Sequence, residues 1–314
     1  MSSSTFAPSD PRIRLARVRL ATRALVRPVE NPRMPIGVQR RWSVLLARAN
    51  RVPRETLVSQ TMLAGVPAER VEHPGRHGNR VIAFLHGGGY ILGSPRAHRV
   101  IAAHLANATG AAVYSIGYRL APEHPFPAAL DDAVAAYREL TENGETEGIA
   151  LVGYSAGGGL ALATALEARA ADLRAPAALA LACPWVDLTL SGSSYAANAR
   201  AESVLTRAWL EDCARRYLAG RAPNDPRCSP LFAHLAGLPP LLIHAAGRDI
   251  LLSDAERLAE RAEAAGTRVE LERYEDMWHI FHLHAGELRT SDDAITRISS
   301  FLNRARTSPG VAAT

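Results

Sequence analysis

The sequence predicts an α/β architecture, an eight-stranded, mostly parallel sheet with helices on both faces and a helical cap. Three observations carry this expectation. From about residue 55 onward, short apolar runs alternate with segments of helical periodicity, the pattern of a parallel sheet covered on both sides. The stretch from Trp185 to Phe232 breaks that rhythm, and the first 54 residues stand outside it.

The opening strands, Thr56–Met62 and Val66–Glu72, flank Ala64-Gly65 and read as a hairpin. Six stronger strands follow at Val81–Leu85, Ala112–Ile116, Ile149–Val152, Ala177–Ala182, Leu241–Ala245 and Val269–Tyr274; all are largely apolar or β-branched. Helices at Arg96–Ala108, Pro127–Leu140, Ala156–Ala170, Ser253–Ala265 and near Leu283–Arg306 fill the gaps. Between Trp185 and Phe232 the stretches SGSS and RAPNDPRC are loop-like and only Thr206–Leu218 is helical, so this segment reads as an insertion after the sixth strand. Ile13–Val26 is amphipathic with Arg on one face. The expected organisation is an N-terminal cap segment at 1–54, a core at 55–184 and 233–306, a cap insertion at 185–232 and a disordered tail at 307–314, ending in SPGVAAT.

A chain of 314 residues suits one α/β core with an appendage, and 47% hydrophobic with 21% charged residues allows a packed interior without disulfides, metals or lipid. The net charge of +5 is unevenly spread. Residues 1–54 hold 12 Arg against Asp10 and Glu30, a surplus of +10, which leaves −5 for the rest. A basic arm can meet anionic lipid or nucleic acid. No Arg-aromatic interleaving or nucleic-acid motif accompanies this one, so nucleic acid is set aside and peripheral membrane contact through the arm is kept as an expectation. The chain has no lysine, which reflects base composition rather than mechanism. Cys183, Cys213 and Cys228 are odd in number and lack metal or C-x-x-C spacing, which points to free thiols in a reducing compartment. The start MSSSTFAPSD lacks the apolar core of a secretory signal, and no apolar run approaches the roughly 18 residues of a membrane span. A cytoplasmic location is expected.

The sharpest chemical signal is Gly153-Tyr154-Ser155-Ala156-Gly157, between the strand Ile149–Val152 and a helix that begins at once. This is the G-x-S-x-G nucleophile elbow in the strand-turn-helix context it needs. Glycines flank the serine because the turn is too tight for a Cβ on either side. The following helix aims its N-terminal amides at the same point, which favours developing negative charge. A second signal, His86-Gly87-Gly88-Gly89-Tyr90, follows Val81–Leu85. Acyl transfer creates an alkoxide that needs backbone N–H donors without side chains in the way. Gly87, Gly88, Gly89 and the amide of Ala156 form the candidate oxyanion hole. A phosphate-cradling loop is the competing reading, but no GxxxxGK[ST] or GxGxxG occurs, and the HGGG form is the one that accompanies G-x-S-x-G. His86 braces the loop in this reading and transfers no proton.

HGGGY, then Tyr118-Arg119-Leu120-Ala121-Pro122-Glu123-His124-Pro125-Phe126-Pro127-Ala128-Ala129 with Asp131, then GYSAGGGLA, resembles the hormone-sensitive-lipase family of α/β-hydrolases, of the bacterial short-chain esterase and acetyl-hydrolase type. Ser229-Pro230-Leu231 and Gly237-Leu238-Pro239-Pro240 fit it too, so the resemblance covers nearly the whole chain. The family commonly has Asp before the nucleophile where this chain has Tyr154, which bears on pocket polarity rather than on the chemistry.

In this fold the acid and base follow the nucleophile in chain order. The resemblance implies Asp249, just past the strand Leu241–Ala245, as the acid and His279, past Val269–Tyr274, as the base. Asp254 reads instead as a helix N-cap, Asp276 as a weaker alternative acid and Asp187 as structural. His279, His282 and His284 form an HxxHxH run without Cys or carboxylate support, so no metal is assigned. The expected activity is cofactor-free hydrolysis of short- to medium-chain acyl esters through an acyl-enzyme. Tyr90, Tyr154, Trp185 and Trp209 are the candidate substrate-binding residues, and Tyr195 and Leu205 are further candidates for the cap lining. A lactone or N-acetyl amide is the alternative substrate for the same triad. A non-catalytic ligand-binding member of the fold is a third reading, disfavoured by the presence of His279. A homodimer through Val269–Tyr274 as an edge strand is the expectation for assembly.

Overall fold

The structure is a computed structural model, and it describes residues 1–75, 79–142 and 148–307. One sheet of nine strands runs through it: β1 (Ser2–Phe6), β2 (Leu57–Leu63), β3 (Val66–Glu72), β4 (Val81–Leu85), β5 (Ala112–Ile116), β6 (Ile149–Tyr154), β7 (Ala178–Ala182), β8 (Leu241–Ala246) and β9 (Val269–Tyr274). Their spatial order is β1-β9-β8-β7-β6-β4-β5-β3-β2. All pairings are parallel except β2 with β3 and β3 with β5.

The central strands are buried on both faces because nearly all their side chains are apolar, buried Ser115 and His244 being exceptions, and the pleat divides them in alternation. Ala83, Leu85, Leu151, Leu181 and Ile243 join the core under α4 (Ala128–Glu142), α5 (Ala156–Ala170) and α8 (Leu252–Ala264). Ile82, Phe84, Val152 and Ala180 join a second core under α3 (Arg99–Thr109) and α9 (Arg289–Thr307). The sheet therefore ends its parallel strands in one row, where β4, β6, β8 and β9 lead into the candidate functional loops.

The eight expected strands all form, and a ninth was not foreseen. Ser2–Phe6 is polar and carries no periodic signal; it becomes a strand by pairing in parallel with β9, from Ser2 opposite Glu270 to Phe6 opposite Tyr274, with the two rings stacked at 5.4 Å. Two expectations change with it. β9 has neighbours on both sides, so it is not an edge and offers no free ladder for a second copy. Residues 1–54 are not all cap, because β1 belongs to the sheet and the Asp10 carboxylate accepts from the amides of Arg289 and Thr290 at 3.1 and 2.9 Å, capping α9 from the far end of the chain.

The remaining N-terminal residues form α1 (Arg12–Leu25) and α2 (Ile36–Leu46), and the 185–232 segment forms α6 (Ser194–Ala197) and α7 (Arg207–Leu218). These two parts are joined: Trp209 Nε1 donates to Gln39 Oε1 at 3.0 Å and Arg27 donates to the Glu202 carbonyl at 2.5 Å. The expected tail lies outside the described residues apart from Thr307. Cys183, Cys213 and Cys228 are free and buried. Among the described residues no helix is long and apolar enough to cross a membrane.

Candidate active site

Ser155 stands between β6 and α5 with φ 55° and ψ −124°, a conformation an L residue holds only when its surroundings impose it. They do so here. The Ser155 amide donates to Ala182 O at 3.0 Å, and its carbonyl accepts from Trp185, Gly158 and Gly159. The flanking glycines are required by closeness: a Cβ on Gly153 would lie 2.1 Å from Gly157 O, and one on Gly157 would lie 2.1 Å from Leu85 O. β6 runs through to Tyr154, so the strand delivers the serine directly into the turn.

Ser155 Oγ lies 2.9 Å from His279 Nε2, and His279 Nδ1 lies 2.7 Å from Asp249 Oδ2. A carboxylate can only accept, so Nδ1 carries the proton and donates to Asp249, which leaves Nε2 to accept from the serine hydroxyl. Asp249 is fixed in turn, its Oδ1 accepting from the Leu251 amide at 2.8 Å and its carbonyl from Asn198 Nδ2 at 2.8 Å. All three side chains are buried. The structure thus brings together the motif serine and the two residues that the family resemblance implies.

Two buried neighbours were not anticipated. Glu202 is fully buried in the insertion; it accepts from the amides of Ser203, Val204 and His279, the last at 3.2 Å, so it holds the histidine loop by its backbone. Burial, and the nearby Asp249 charge, push its carboxyl up. Nothing in the stretch Ala201-Glu202-Ser203 signals this, because the contact spans 77 positions. Cys183, at the end of β7 with φ 46°, places its thiol beside Asp249 and His279. Burial pulls the His279 imidazole down, but the charge and hydrogen bond of Asp249, with Glu202 and Glu30 behind them, outweigh it and hold the imidazole above its ordinary value.

The glycine loop after β4 lies against the serine. Gly87 faces Ser155 Cβ, and Gly88 takes φ 123°, where a Cβ would meet Leu92 O at 2.3 Å. Among the described residues, the amides of Gly88, Gly89 and Ala156 make no hydrogen bond and remain available as donors. His86 braces the loop: its Nδ1 meets Gly87 O at 2.9 Å, its ring stacks on Tyr118 at 4.2 Å, and the Tyr118 hydroxyl donates to His86 O at 2.7 Å. Burial beside His98 pulls its imidazole down to about 3, so it is neutral. The neighbouring Arg119 pairs with Asp132 at 2.7 Å. Arg40 of α2 donates to Ile91 O and Ala121 O and pairs with Glu123, tying the cap to the same loops.

A cavity of about 400 Å³ opens onto Ser155 and His279, with Gly88 and Gly89 in its wall. α1, α2 and the residues beside them form one side of it, the histidine loop from Trp278 to Glu287 forms another, and Trp209 and Leu205 contribute from the insertion. Tyr90, Tyr154 and Trp185 do not line it, which corrects the expectation for those three, and Tyr195 is absent from it as well. Tyr90 stacks on Tyr217 at 3.9 Å, and Trp185 donates to Asp187 O at 3.2 Å inside the core. Tyr154 follows Val152 by two positions and so faces α9, packing on Phe84 and His282 away from the nucleophile.

The competing acids fall elsewhere. Asp276 is exposed and pairs with Arg248. Asp187 is buried and satisfied by Thr189, Ser191 and Arg257. Asp254 makes no cap for α8; its Oδ2 accepts from the amides of Val186 and Asp187 and from the Tyr195 hydroxyl, anchoring the start of the insertion. The HxxHxH run does not converge: His282 meets His244 at 3.1 Å, while His284 meets Glu287 at 3.0 Å and Thr22 at 3.2 Å. Among the described residues, the metal-type donors that do come together are Cys183, Asp249 and His279, where the carboxylate and imidazole are already bonded to each other.

Known proteins share this fold. A family model described as alpha/beta hydrolase fold matches residues 82–283. An acetyl-hydrolase of Streptomyces hygroscopicus is 43% identical over 233 residues, 74% of this chain and 78% of that protein. A crystal structure of an esterase from the bacterial hormone-sensitive lipase family superposes with a TM-score of 0.90 at 38% identity, covering 95% of this chain and 99% of the other. The crystal structure of EstE5 soaked with p-nitrophenyl butyrate superposes with a TM-score of 0.89 at 36% identity, covering 94% and 99%.

Proposed function

The chain belongs to the hormone-sensitive-lipase family of α/β-hydrolases and is a serine carboxylesterase, and we propose that it cleaves short- to medium-chain acyl esters with Ser155 as nucleophile, His279 as base and Asp249 as the residue that orients the base. The observation that carries this reading is the continuous hydrogen-bonded line from Ser155 Oγ through His279 to Asp249, at 2.9 and 2.7 Å, beside three uncommitted amides.

In this reading His279 Nε2 takes the hydroxyl proton as Ser155 Oγ bonds to the ester carbonyl carbon. The carbonyl oxygen becomes an alkoxide held by the amides of Gly88, Gly89 and Ala156, each donor contributing about 3 kcal/mol in comparable sites. The alcohol departs with the proton from His279. Water, losing a proton to the same imidazole, then attacks the acyl-enzyme, and the acid leaves as Ser155 regains its hydrogen. Asp249 keeps the proton on Nδ1 and offsets the imidazolium charge throughout. No step needs a cofactor.

Acyl length is read from space. A cavity of about 400 Å³ lies near the lower end of small-molecule pockets, which run from roughly 300 to 1,000 Å³. With p-nitrophenyl esters from C2 to C16, kcat/KM is expected to peak at C8 or below; a maximum at C12 or beyond would refute the short-chain reading.

Membrane contact is a second part of this proposal. Ile13 and Leu20 of α1 are 70% and 68% exposed, and Val38 and Leu45 of α2 are also exposed among arginines. Asp10 is turned inward to cap α9, and Glu30 lines the cavity. The outer face is therefore basic and apolar together, which suits an anionic lipid surface, and the same two helices border the cavity.

A further inference from the structure

The cavity contains an acidic side chain that the chemistry above leaves unused. Glu30 shares the cavity wall with Ser155, His279 and Trp209. Its Oε2 is shut off from solvent and has no hydrogen-bond partner; among the described residues none of the 12 arginines of the first 54 positions pairs with it. Glu30 as a whole is half-buried, but an Oε2 left buried without a donor is costly unless something arrives to donate to it.

The placement is built rather than slack. Buried Gln39 donates to Asn31 O at 3.2 Å and Met34 O at 2.8 Å, and is itself held by Trp209. On the other side Arg27 is tied to the Glu202 carbonyl, and the Glu30 amide donates to Val26 O at 3.3 Å. Glu30 and His279 are near enough to feel each other's charge. The base of such a triad returns its proton to the leaving alcohol, so a carboxyl near enough to His279 to feel its charge is placed to meet the alcohol half of an ester. Burial lifts its carboxyl to about 7, and both the neutral and ionised forms accept a hydrogen bond from a hydroxyl. An ammonium would have to be desolvated against a single partner, which favours a hydroxyl as the occupant.

We infer that Glu30 is a specificity-determining residue that selects esters whose alcohol portion carries a further free hydroxyl, monoacylated polyols, by accepting that hydroxyl's hydrogen bond. The inference rests on the esterase reading above. Glycerol monobutyrate and propyl butyrate share an acyl group and a three-carbon alcohol, so the ratio of their kcat/KM values on the full chain isolates the extra hydroxyls. The ratio is expected to be about tenfold in favour of the glycerol ester. Glu30→Leu should bring it near one, and Glu30→Gln, which keeps an acceptor, should retain most of it. A wild-type ratio near one overturns the inference, as does an unchanged ratio in a Glu30→Leu protein with wild-type melting behaviour. Should that variant fail to fold, Glu30→Met of similar shape carries the same two outcomes. If wild-type protein turns over neither ester, the esterase reading falls and takes the inference with it; turnover of propyl butyrate without preference removes the inference alone.

Discussion

His279 sits among carboxyl groups: Asp249 bonded to its Nδ1, Glu202 at its backbone and Glu30 across the cavity. Together they outweigh burial and raise the imidazole. Turnover needs the neutral base, so kcat/KM should fall as pH drops through that raised value, giving an acid limb above the ordinary histidine value of about 6.5. Removing the Glu202 charge with Glu202→Gln should move the limb to lower pH, and Asp249→Asn should cost about 10⁴ in kcat by favouring the wrong tautomer. A pH-rate profile on the three proteins checks both; an unmoved limb in Glu202→Gln contradicts the electrostatic part. Ser155 was legible in the sequence because the G-x-S-x-G elbow fixes its spacing after a strand, and Asp249 and His279 because the family resemblance implies an acid and a base at those later strand ends. Glu202 was not, since its partner is distant in sequence and no motif marks it. Tyr154 is a candidate substrate contact by its place before the nucleophile and Trp185 by its place at the start of the cap insertion; strand alternation, also present in the sequence, turns Tyr154 toward α9.

At the scale of elements, the chain's start is stapled to its end. Asp10 caps α9 through Arg289 and Thr290, and β1 lies along β9. Burial pushes the Asp10 carboxyl up, but the bonds from Thr290 and Arg289 and the Arg14 charge together hold it below its ordinary value. Its contribution to stability is therefore full above the ordinary carboxylate range near 3.9 and is lost as pH falls through the lowered folded value. Asp10→Ala should cost about 1–2 kcal/mol at pH 7, seen as a lower urea midpoint, with the difference from wild type shrinking in strong acid. An equal midpoint at pH 7 would mean that the cap adds nothing. The eight strands with apolar runs were predictable from composition and period. β1 was not, because Ser2–Phe6 has no apolar pattern and is a strand only through its partner. The cap helix α7 was legible from its own periodicity, and Thr206 caps it by accepting from the Trp209 amide.

Across the whole molecule, the arginine-rich arm and the insertion form one structure over the catalytic end of the sheet, joined by Trp209 to Gln39 and Arg27 to Glu202. Its inner surface shapes the cavity, and its outer surface carries Ile13, Leu20, Val38 and Leu45 among arginines. The charge division along the sequence marks a basic arm, and its reading as a cap segment already places that arm over the site. The protein should co-sediment with anionic phosphatidylserine vesicles in low salt and be released as salt screens the charges. Ile13→Asp with Leu20→Asp should weaken that binding. Equal binding to neutral vesicles, or no binding to either, would contradict the membrane reading.

Hydrolysis by this chain requires the hydroxyl of Ser155 to become acylated. Mass spectrometry of the full chain treated with a fluorophosphonate should find one adduct, on the peptide containing Gly153-Tyr154-Ser155-Ala156-Gly157, and none in Ser155→Ala. An adduct on another residue, or undiminished labelling of Ser155→Ala, would contradict the account.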